Sequence, residues 1–279
     1  MRVAVADGVS YAVRESGDGP PVLLLHGFTG SGAGMMAWLP ELPRTHRTLA
    51  VDLLGHGDSD SPPPGRQTVE HQAADIALIL GRVGASPADV LGYSFGARVA
   101  LRIAIDAPDS VRGLVLESPS AGIADPAARM ARRDADQRWV EQLRRGDLDG
   151  FVRDWAAQPI FASQRHLPDA VRERVAQERA ANHADGLAAS LLGAGQGVMA
   201  PLHDGLGRIT APTLVVSGQL DARGTKRAAE VAAGIPGAIH EPILGAGHTP
   251  HLETPERFRD LVMSFLAAPH AAAIPTLAP

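Results

Sequence analysis

The chain has 279 residues, of which 45% are hydrophobic and 20% are charged, and this composition is typical of a globular protein. Its formal net charge of −5 argues against a nucleic acid or an acidic membrane surface as a partner. The chain contains no cysteine, which excludes disulfides, thiolate nucleophiles and cysteine-based metal sites.

Strand-like and helix-like segments alternate along the chain, which is the pattern of a mostly parallel sheet covered by helices on both faces. Asp7-Gly8 predicts a hairpin, and the wholly apolar segment 22–25 predicts a central strand buried on both faces. The predicted strands are residues 3–6, 9–14, 22–25, 48–51, 89–92, 113–116, 213–217 and 238–243. The predicted helices are residues 69–83, 95–107, 226–233 and 255–266.

Residues 118–207 interrupt this alternation, because no strand pattern occurs there and apolar residues such as Trp139 and Phe151 recur at helical spacing. A segment of about 90 residues is too long for a simple crossover loop. We therefore interpret it as a helical cap inserted in a core of residues 1–117 and 208–268, with an unrelated second domain as the alternative. Residues 269–279, rich in Ala and Pro, are predicted to form a flexible tail.

The segment Gly92-Tyr93-Ser94-Phe95-Gly96 has the pattern G-x-S-x-G between a predicted strand and a predicted helix. A sharp turn at this junction holds the central residue in a strained conformation, and the two glycines let neighbouring chain pass close by. The serine hydroxyl then projects at a helix N-terminus, which favours negative charge. We predict that Ser94 is a nucleophile or base at such an elbow.

A reactive serine needs a histidine to activate it and an acid to orient that histidine. His248 lies in a glycine-rich loop after the last predicted strand, and Asp221 follows the preceding one. The chain order Ser, Asp, His is the order that α/β-hydrolases use. A role for Asp221 as a turn cap is the alternative, with Glu117 as the fallback acid, and His251 is a weaker candidate base.

An oxyanion hole is predicted from His26-Gly27-Phe28, which follows the strand at 22–25. Its donors would be the backbone N–H groups of Phe28 and Phe95. The segment Asp52-Leu-Leu-Gly-His-Gly-Asp-Ser59 is interpreted as a loop that braces the fold.

Arg98 lies one helical turn after Ser94 on the same face of the predicted helix. A buried guanidinium must be paired, so we expect either an internal ion pair or a clamp for a substrate carboxylate. Arg132 and Arg179, in the predicted cap, would point either into the same cleft or into solvent. Tyr93 and Trp155 are expected to line the cleft.

Several further expectations concern partners and location. No His/Asp/Glu cluster has ligand spacing, so we expect neither a metal nor an organic cofactor. No apolar segment has the length of a signal peptide or a membrane span, so we expect a cytoplasmic protein. The arginines near the predicted elbow favour a small carboxylated substrate. The oligomeric state is left open.

Beyond these general motifs, the chain resembles the menaquinone-pathway synthases called MenH from about Val22 to Phe265. The segments that carry the resemblance are Gly92-Tyr-Ser-Phe-Gly-Ala-Arg98-Val-Ala-Leu, Glu117-Ser-Pro-Ser-Ala-Gly-Ile123, Arg129-x-x-Arg132 ahead of Trp139, Asp154-Trp-Ala-Ala-Gln-Pro-Ile-Phe-Ala-Ser163, Arg179-Ala-Ala-Asn182 and Ala246-Gly-His-Thr-Pro-His251. The arginine after the elbow and the W-x-x-Q-P-x-F-A-S segment are the most specific of these. Position 97 is Ala where Gly is common in the family.

The resemblance implies an α/β-hydrolase fold with an inserted helical cap and a lyase reaction that needs no cofactor. The implied reaction eliminates pyruvate from 2-succinyl-5-enolpyruvyl-6-hydroxy-3-cyclohexene-1-carboxylate, giving 2-succinyl-6-hydroxy-2,4-cyclohexadiene-1-carboxylate. The implied site consists of the triad Ser94, Asp221 and His248, the carboxylate-binding Arg98, Arg132 and Arg179, and the pocket residues Tyr93 and Trp155. The alternatives are a serine hydrolase of an ester or carbon–carbon bond and a binding protein.

Overall fold

Eight strands form one sheet in the computed structural model, which describes residues 1–268. The strands are β1 (Arg2–Ala4), β2 (Ser10–Ser16), β3 (Pro21–Leu25), β4 (Arg47–Val51), β5 (Ala88–Tyr93), β6 (Val111–Glu117), β7 (Thr213–Gly218) and β8 (Ile239–Ile243). Their order across the sheet is β1-β2-β4-β3-β5-β6-β7-β8. Strand β2 runs antiparallel to β1 and to β4, and all other neighbours are parallel. The mostly parallel α/β fold predicted from the sequence is confirmed.

Helices surround this sheet, some on its two faces and four in an insertion described below. They are α1 (Gly32–Trp38), α2 (Val69–Arg82), α3 (Phe95–Asp106), α4 (Pro126–Arg144), α5 (Leu148–Ala156), α6 (Asp169–Ala180), α7 (Ala184–Ala194), α8 (Ala222–Gly234), α9 (Pro250–Glu253) and α10 (Pro255–Ala267). Helices α2, α3 and α8 share one hydrophobic cluster with Leu23 and Leu25 of β3. Helices α1 and α10 share a second cluster with Val22 and Leu24. Alternate residues of β3 thus face opposite layers, so the whole strand is apolar.

Helices α4 to α7 lie between β6 and β7, and α4, α5 and α7 share a hydrophobic cluster of their own. Its rings include Trp139, Phe151, Trp155 and Phe161, so the apolar periodicity seen in the sequence corresponds to real packing. Asn182 joins this helical insertion to the sheet-bearing part, because its buried Nδ2 donates to the Thr29 carbonyl at 2.9 Å. The four helices fall within the segment 118–207 predicted as a cap.

Three helices differ from the prediction. Helix α1 was not predicted, since Gly32 and Gly34 obscure its pattern, and the four-residue helix α9 was not predicted either. Helix α8 begins at Ala222 rather than at residue 226, because the Asp221 carboxylate accepts a hydrogen bond from the Gly224 N–H and so caps its N-terminus. The predicted tail, residues 269–279, lies outside the described residues. Within residues 1–268, no helix is both long enough and apolar enough to cross a membrane.

Two glycine substitutions test the close packing of α3 on β3. A Cβ at Gly96 would lie 2.1 Å from the Leu25 carbonyl oxygen, whereas a Cβ at Gly81 of α2 would meet nothing within 4 Å. We expect Gly96→Ala to lower the free energy of unfolding by about 3 kcal/mol, because backbone atoms cannot give way. Gly81→Ala, the matched control, should raise it by about 0.5–1 kcal/mol. Urea unfolding measures both, and equal stabilities would contradict the packing described.

Candidate active site

Ser94 occupies the one-residue turn between β5, which ends at Tyr93, and α3, which begins at Phe95. Its backbone has φ 48° and ψ −98°, a conformation that a non-glycine residue adopts only when the surrounding structure imposes it. The turn is held from the neighbouring strand, because the Ser94 N–H donates to the Glu117 carbonyl at 2.9 Å. The hydroxyl group is thereby fixed at the carboxyl edge of the sheet.

Three side chains form one hydrogen-bonded chain at this edge. His248 Nε2 lies 3.1 Å from Ser94 Oγ, and His248 Nδ1 lies 2.8 Å from Asp221 Oδ2. The other carboxylate oxygen of Asp221 caps α8, so this residue has both of the roles that the sequence left as alternatives. Burial works against ionisation of Asp221, but the hydrogen bond and charge of His248 outweigh it and keep the pKa of that carboxyl below its usual value.

The loop that carries His248 is held by a second carboxylate, that of Glu253 in α9. Glu253 Oε2 accepts from the Gly247 N–H at 2.7 Å, and Oε1 accepts from the Thr249 N–H at 3.0 Å. Both neighbours of His248 are therefore anchored to one side chain, which restricts the positions that the imidazole can take.

Phe28 and Phe95 line the same cavity as Ser94. Phe95 is the first residue of α3, so its backbone N–H has no acceptor within the helix and points out of its N-terminus. Phe28 follows the end of β3 by three residues, at the same edge of the sheet. This is the arrangement in which two backbone N–H groups can stabilise a developing oxyanion.

The segment from Asp52 to Ser59 is hydrogen-bonded to the loop that carries Phe28 and to the start of α1. The buried Asp52 carboxylate accepts hydrogen bonds from the N–H groups of Gly32 and Asp58 at 2.7 and 2.9 Å. His26 Nε2 accepts from the Leu53 N–H at 2.9 Å, which fixes the start of the Phe28 loop. Burial lowers the pKa of the His26 imidazole, so this ring is neutral at physiological pH.

A cavity of about 610 Å³ opens over Ser94, which is ample for a small-molecule substrate. Its floor is formed by the elbow and by His248, and its roof by the helical insertion. Trp155 belongs to this roof, and its Nε1 is buried without a hydrogen-bond partner among the described residues.

Arg98 lines the cavity as a buried cation. Its Nη1 donates to the Ala194 carbonyl at 2.6 Å and its guanidinium lies 4.9 Å from the Phe95 ring. Within residues 1–268 no carboxylate lies within 4.0 Å of it, and its Nε has no partner. Burial and the nearby charge of Arg132 lower the pKa of Arg98 to about 9. These observations favour a clamp for a bound anion over an internal ion pair.

Arg132 also lines the cavity, and its orientation is set by a carboxylate one helical turn away. Its Nε donates to both oxygens of the buried Asp136, at 2.9 and 3.0 Å. This pairing uses the Nε of the guanidinium and leaves its two amino groups available for a ligand. Arg223 and Arg227 of α8 line the cavity too. Sequence reasoning missed both, although their position just after Asp221 was a signal.

Arg179 lies in a different place from the other two arginines predicted for the site. It is buried, lines a smaller adjoining cavity of about 50 Å³, and stacks 4.9 Å from the Phe161 ring. Phe28, Tyr93 and Phe161 line both cavities and so separate Arg179 from Ser94. The Tyr93 hydroxyl is bonded to Thr249 Oγ1 at 2.9 Å. The structure therefore brings Arg98 and Arg132 to the main cavity but not Arg179.

Comparisons with known proteins agree with this architecture. A family model described as the alpha/beta hydrolase fold matches residues 20–255, so the chain belongs to the α/β-hydrolase family. A putative 2-succinyl-6-hydroxy-2,4-cyclohexadiene-1-carboxylate synthase of Bacillus subtilis (strain 168) is 34% identical over 96% of this chain and 98% of its own length. The synthase of Salmonella paratyphi C is 32% identical over 88% of this chain and 94% of its own.

Solved structures give the same picture. MenH from S. aureus superposes with a TM-score of 0.86 and 29% identity, over 92% of this chain and 97% of that one. A thermophilic esterase from Thermogutta terrifontis, solved with malate bound, gives 0.82 and 30%, over 95% and 98%. Within the α/β-hydrolases, this chain belongs to the family of 2-succinyl-6-hydroxy-2,4-cyclohexadiene-1-carboxylate synthases, MenH.

The buried His56, which packs edge-on against Phe28, predicts loss of stability in acid. Burial, followed by the neighbouring His26, lowers the pKa of His56 from 6.5 to about 3. The unfolded chain binds this proton at the ordinary pKa, so stability falls as the pH drops below 6.5. At pH 4.5 we expect His56 alone to cost roughly 2–3 kcal/mol.

Urea unfolding at pH 7 and pH 4.5 measures this effect. In His56→Gln the difference in unfolding free energy between the two pH values should shrink by that amount, whereas the exposed control His71→Gln should leave it unchanged. A difference that is the same in His56→Gln as in the parent would contradict the assignment.

Proposed function

We propose that this protein eliminates pyruvate from 2-succinyl-5-enolpyruvyl-6-hydroxy-3-cyclohexene-1-carboxylate and so forms 2-succinyl-6-hydroxy-2,4-cyclohexadiene-1-carboxylate in menaquinone biosynthesis. The observation that carries the proposal is the buried Arg98, which lines the same cavity as the Ser94–His248–Asp221 chain and has no carboxylate within 4.0 Å among residues 1–268. The names of the curated relatives support it.

In the proposed mechanism Ser94 and His248 act together as a base. His248 Nε2 accepts the Ser94 hydroxyl proton while Ser94 Oγ removes a proton from the substrate ring. The electron pair left on C2 forms a C2=C3 double bond, the existing C3=C4 double bond shifts to C4=C5, and the bond from C5 to the enolpyruvyl oxygen breaks. The leaving enolpyruvate takes up the proton that the His248 imidazolium gives back and becomes pyruvate. No acyl-enzyme forms, and Asp221 stabilises the imidazolium that His248 transiently becomes.

Negative charge develops on the succinyl ketone when the ring proton leaves. The N–H groups of Phe28 and Phe95 are the proposed donors to that oxygen, and one such donor is typically worth about 10²–10³ in rate. The helical insertion over the cavity acts as a cap in this proposal, since it keeps water from the reacting carbon.

The substrate carries three carboxylates, and the arginines are the proposed ligands for them. Arg98 is buried at a desolvation cost that an incoming carboxylate offsets, and Arg132 offers two amino groups held in place by Asp136. Arg179 would bind a carboxylate only if it extends past Tyr93 and Phe161 into the smaller cavity. Trp155 lines the roof and offers its Nε1, which has no hydrogen-bond partner within residues 1–268. The cytoplasmic location stays a prediction.

Substitution of Ser94 tests the reaction directly. A coupled pyruvate assay on the enolpyruvyl substrate should give steady release by the parent and a loss of about 10³-fold or more in Ser94→Ala, because the base is removed. Ser217→Ala, a buried serine at the end of β7 outside the cavity, is the matched control and should keep full activity. Turnover of p-nitrophenyl acetate through an acylated Ser94, without pyruvate release, would instead establish the hydrolase alternative.

Substitution of Arg98 tests its proposed role as a carboxylate ligand. Arg98→Met should raise KM about ten- to a hundredfold, since a charge-assisted hydrogen bond is worth about 1.5–3 kcal/mol. It should leave the free energy of unfolding unchanged or higher, because an unpaired buried cation is removed. Arg102→Met, one turn along α3 and paired with Asp106, is the control and should keep KM. An unfolded Arg98→Met chain or an unchanged KM would refute the role.

A further inference from the structure

Glu117 and Ser118, at the end of β6, are hydrogen-bonded to the backbone of both residues that form the Ser94–His248 hydrogen bond. The Glu117 carbonyl accepts from the Ser94 N–H at 2.9 Å, and Ser118 Oγ donates to the His248 carbonyl at 2.8 Å. The Ser118 N–H in turn donates to the Val216 carbonyl of β7 at 2.8 Å. Glu117, the last residue of β6, and Ser118, which follows it, thus connect the serine, the histidine and the strand that leads to Asp221.

The Glu117 carboxylate adds a third connection from the same place. It is fully buried, and its Oε1 accepts from the His251 N–H at 2.9 Å. The His251 ring also points at it, with Nδ1 2.9 and 2.8 Å from the two carboxylate oxygens. Glu117 therefore holds the far end of the loop that carries His248, three residues after it, and is not free to serve as the acid of the triad.

His251 extends the connection back to the elbow. Its ring packs edge-on against Tyr93 at 4.9 Å between centroids, and Tyr93 immediately precedes Ser94. The Tyr93 hydroxyl is bonded to Thr249, which immediately follows His248. The neighbours of the serine and of the histidine are thus joined to each other through the Tyr93 and Thr249 side chains.

The backbone is strained at the residue that follows each of the two strands, β5 and β6. Ser94 and Ser118 both have φ of 48°, in the left-handed region that a side chain disfavours. Such conformations persist only where surrounding hydrogen bonds impose them. The Ser94 Oγ to His248 Nε2 distance of 3.1 Å is near the long end of the range for proton transfer, so a small shift of either residue breaks the contact.

We propose that Glu117 is a positioning residue that sets the distance between Ser94 and His248, with Ser118 and His251 as its partners in this role. The proposal rests on the proposed function of Ser94 and His248 as the reactive pair. It predicts an effect on the chemical step rather than on substrate binding, because Glu117 and His251 do not line the main cavity and, of the three residues, only Ser118 does.

The test compares two substitutions of His251. His251→Phe keeps a ring against Tyr93 but removes the bond to Glu117, and we expect kcat to fall about ten- to thirtyfold with KM within twofold. His251→Asn returns an N–H donor near the position of Nδ1 and should restore most of kcat. His240→Phe is the matched control and should keep kcat. It removes a half-buried imidazole of β8 that is bonded to Ser217 of β7.

A second readout does not depend on the natural substrate. A fluorophosphonate reacts with Ser94 by forming an O–P bond as fluoride leaves and His248 takes the hydroxyl proton, and mass spectrometry follows its rate. The rate should fall in His251→Phe and recover in His251→Asn as kcat does. If the parent releases no pyruvate, the lyase proposal fails, while the phosphonylation rates still test the positioning role.

Ser118→Ala is a second variant that tests the proposal even if the His251→Phe chain does not fold. It keeps the Cβ and the backbone strain and removes only the bond to the His248 carbonyl, so we expect a three- to tenfold loss in kcat and in phosphonylation rate. Ser217→Ala is its control. Unchanged rates in Ser118→Ala and His251→Phe, a change in KM alone, or no recovery in His251→Asn would overturn the proposal.

Discussion

The hydrogen bond between Ser94 Oγ and His248 Nε2 joins two residues that lie 154 positions apart in the chain. It can form only because parallel strands end at one edge of the sheet, where loops from distant parts of the chain meet. Every other feature of the site depends on this contact. Asp221 orients the imidazole, Glu253 holds the loop on both sides of it, and the elbow presents the hydroxyl. Without that contact the cavity would only bind a ligand.

Charge is distributed around this contact in a way that suits an anionic guest. The chain as a whole is acidic, yet Arg98 is buried at the cavity without a carboxylate partner among residues 1–268. Burial also keeps His26 and His56 neutral behind the oxyanion region. Desolvation of the guanidinium thus lowers the stability of the folded protein, and the attraction of a bound carboxylate offsets part of that free energy. A preorganised cation of this kind favours binding without reorganisation at the moment of reaction.

The same triad architecture supports more than one chemistry. The chain superposes on MenH from S. aureus and on a thermophilic esterase with similar TM-scores, 0.86 and 0.82, and similar identities. Elbow, histidine loop and oxyanion position therefore do not separate a lyase from a hydrolase. Curated relatives at 34% and 32% identity point to the synthases, and the cations of the cavity give that choice a physical basis. Residues outside the triad decide the substrate.

Local pattern in the sequence determined much of this protein. The apolar segment 22–25 and the glycines around Ser94 are short-range signals, and with the order of Ser94, Asp221 and His248 they were sufficient to predict the fold class and a triad. The Arg132–Asp136 pair is also local, four residues apart on one helix. Periodicity likewise located the helical insertion, although glycines concealed α1 and the cap on Asp221 moved the start of α8.

Contacts between distant segments were decided only by the tertiary structure. Three features depend on how helices and loops pack over the sheet. They are the lack of a carboxylate partner for Arg98 within residues 1–268, the cavity that Arg179 lines, and the bond between Glu117 and His251. Such packing joins residues 96 and 134 positions apart in the contacts of Arg98 and Glu117, and it leaves no trace in the spacing of neighbouring residues. Sequence pattern therefore predicted which groups form the proposed triad, while three-dimensional packing determined their partners.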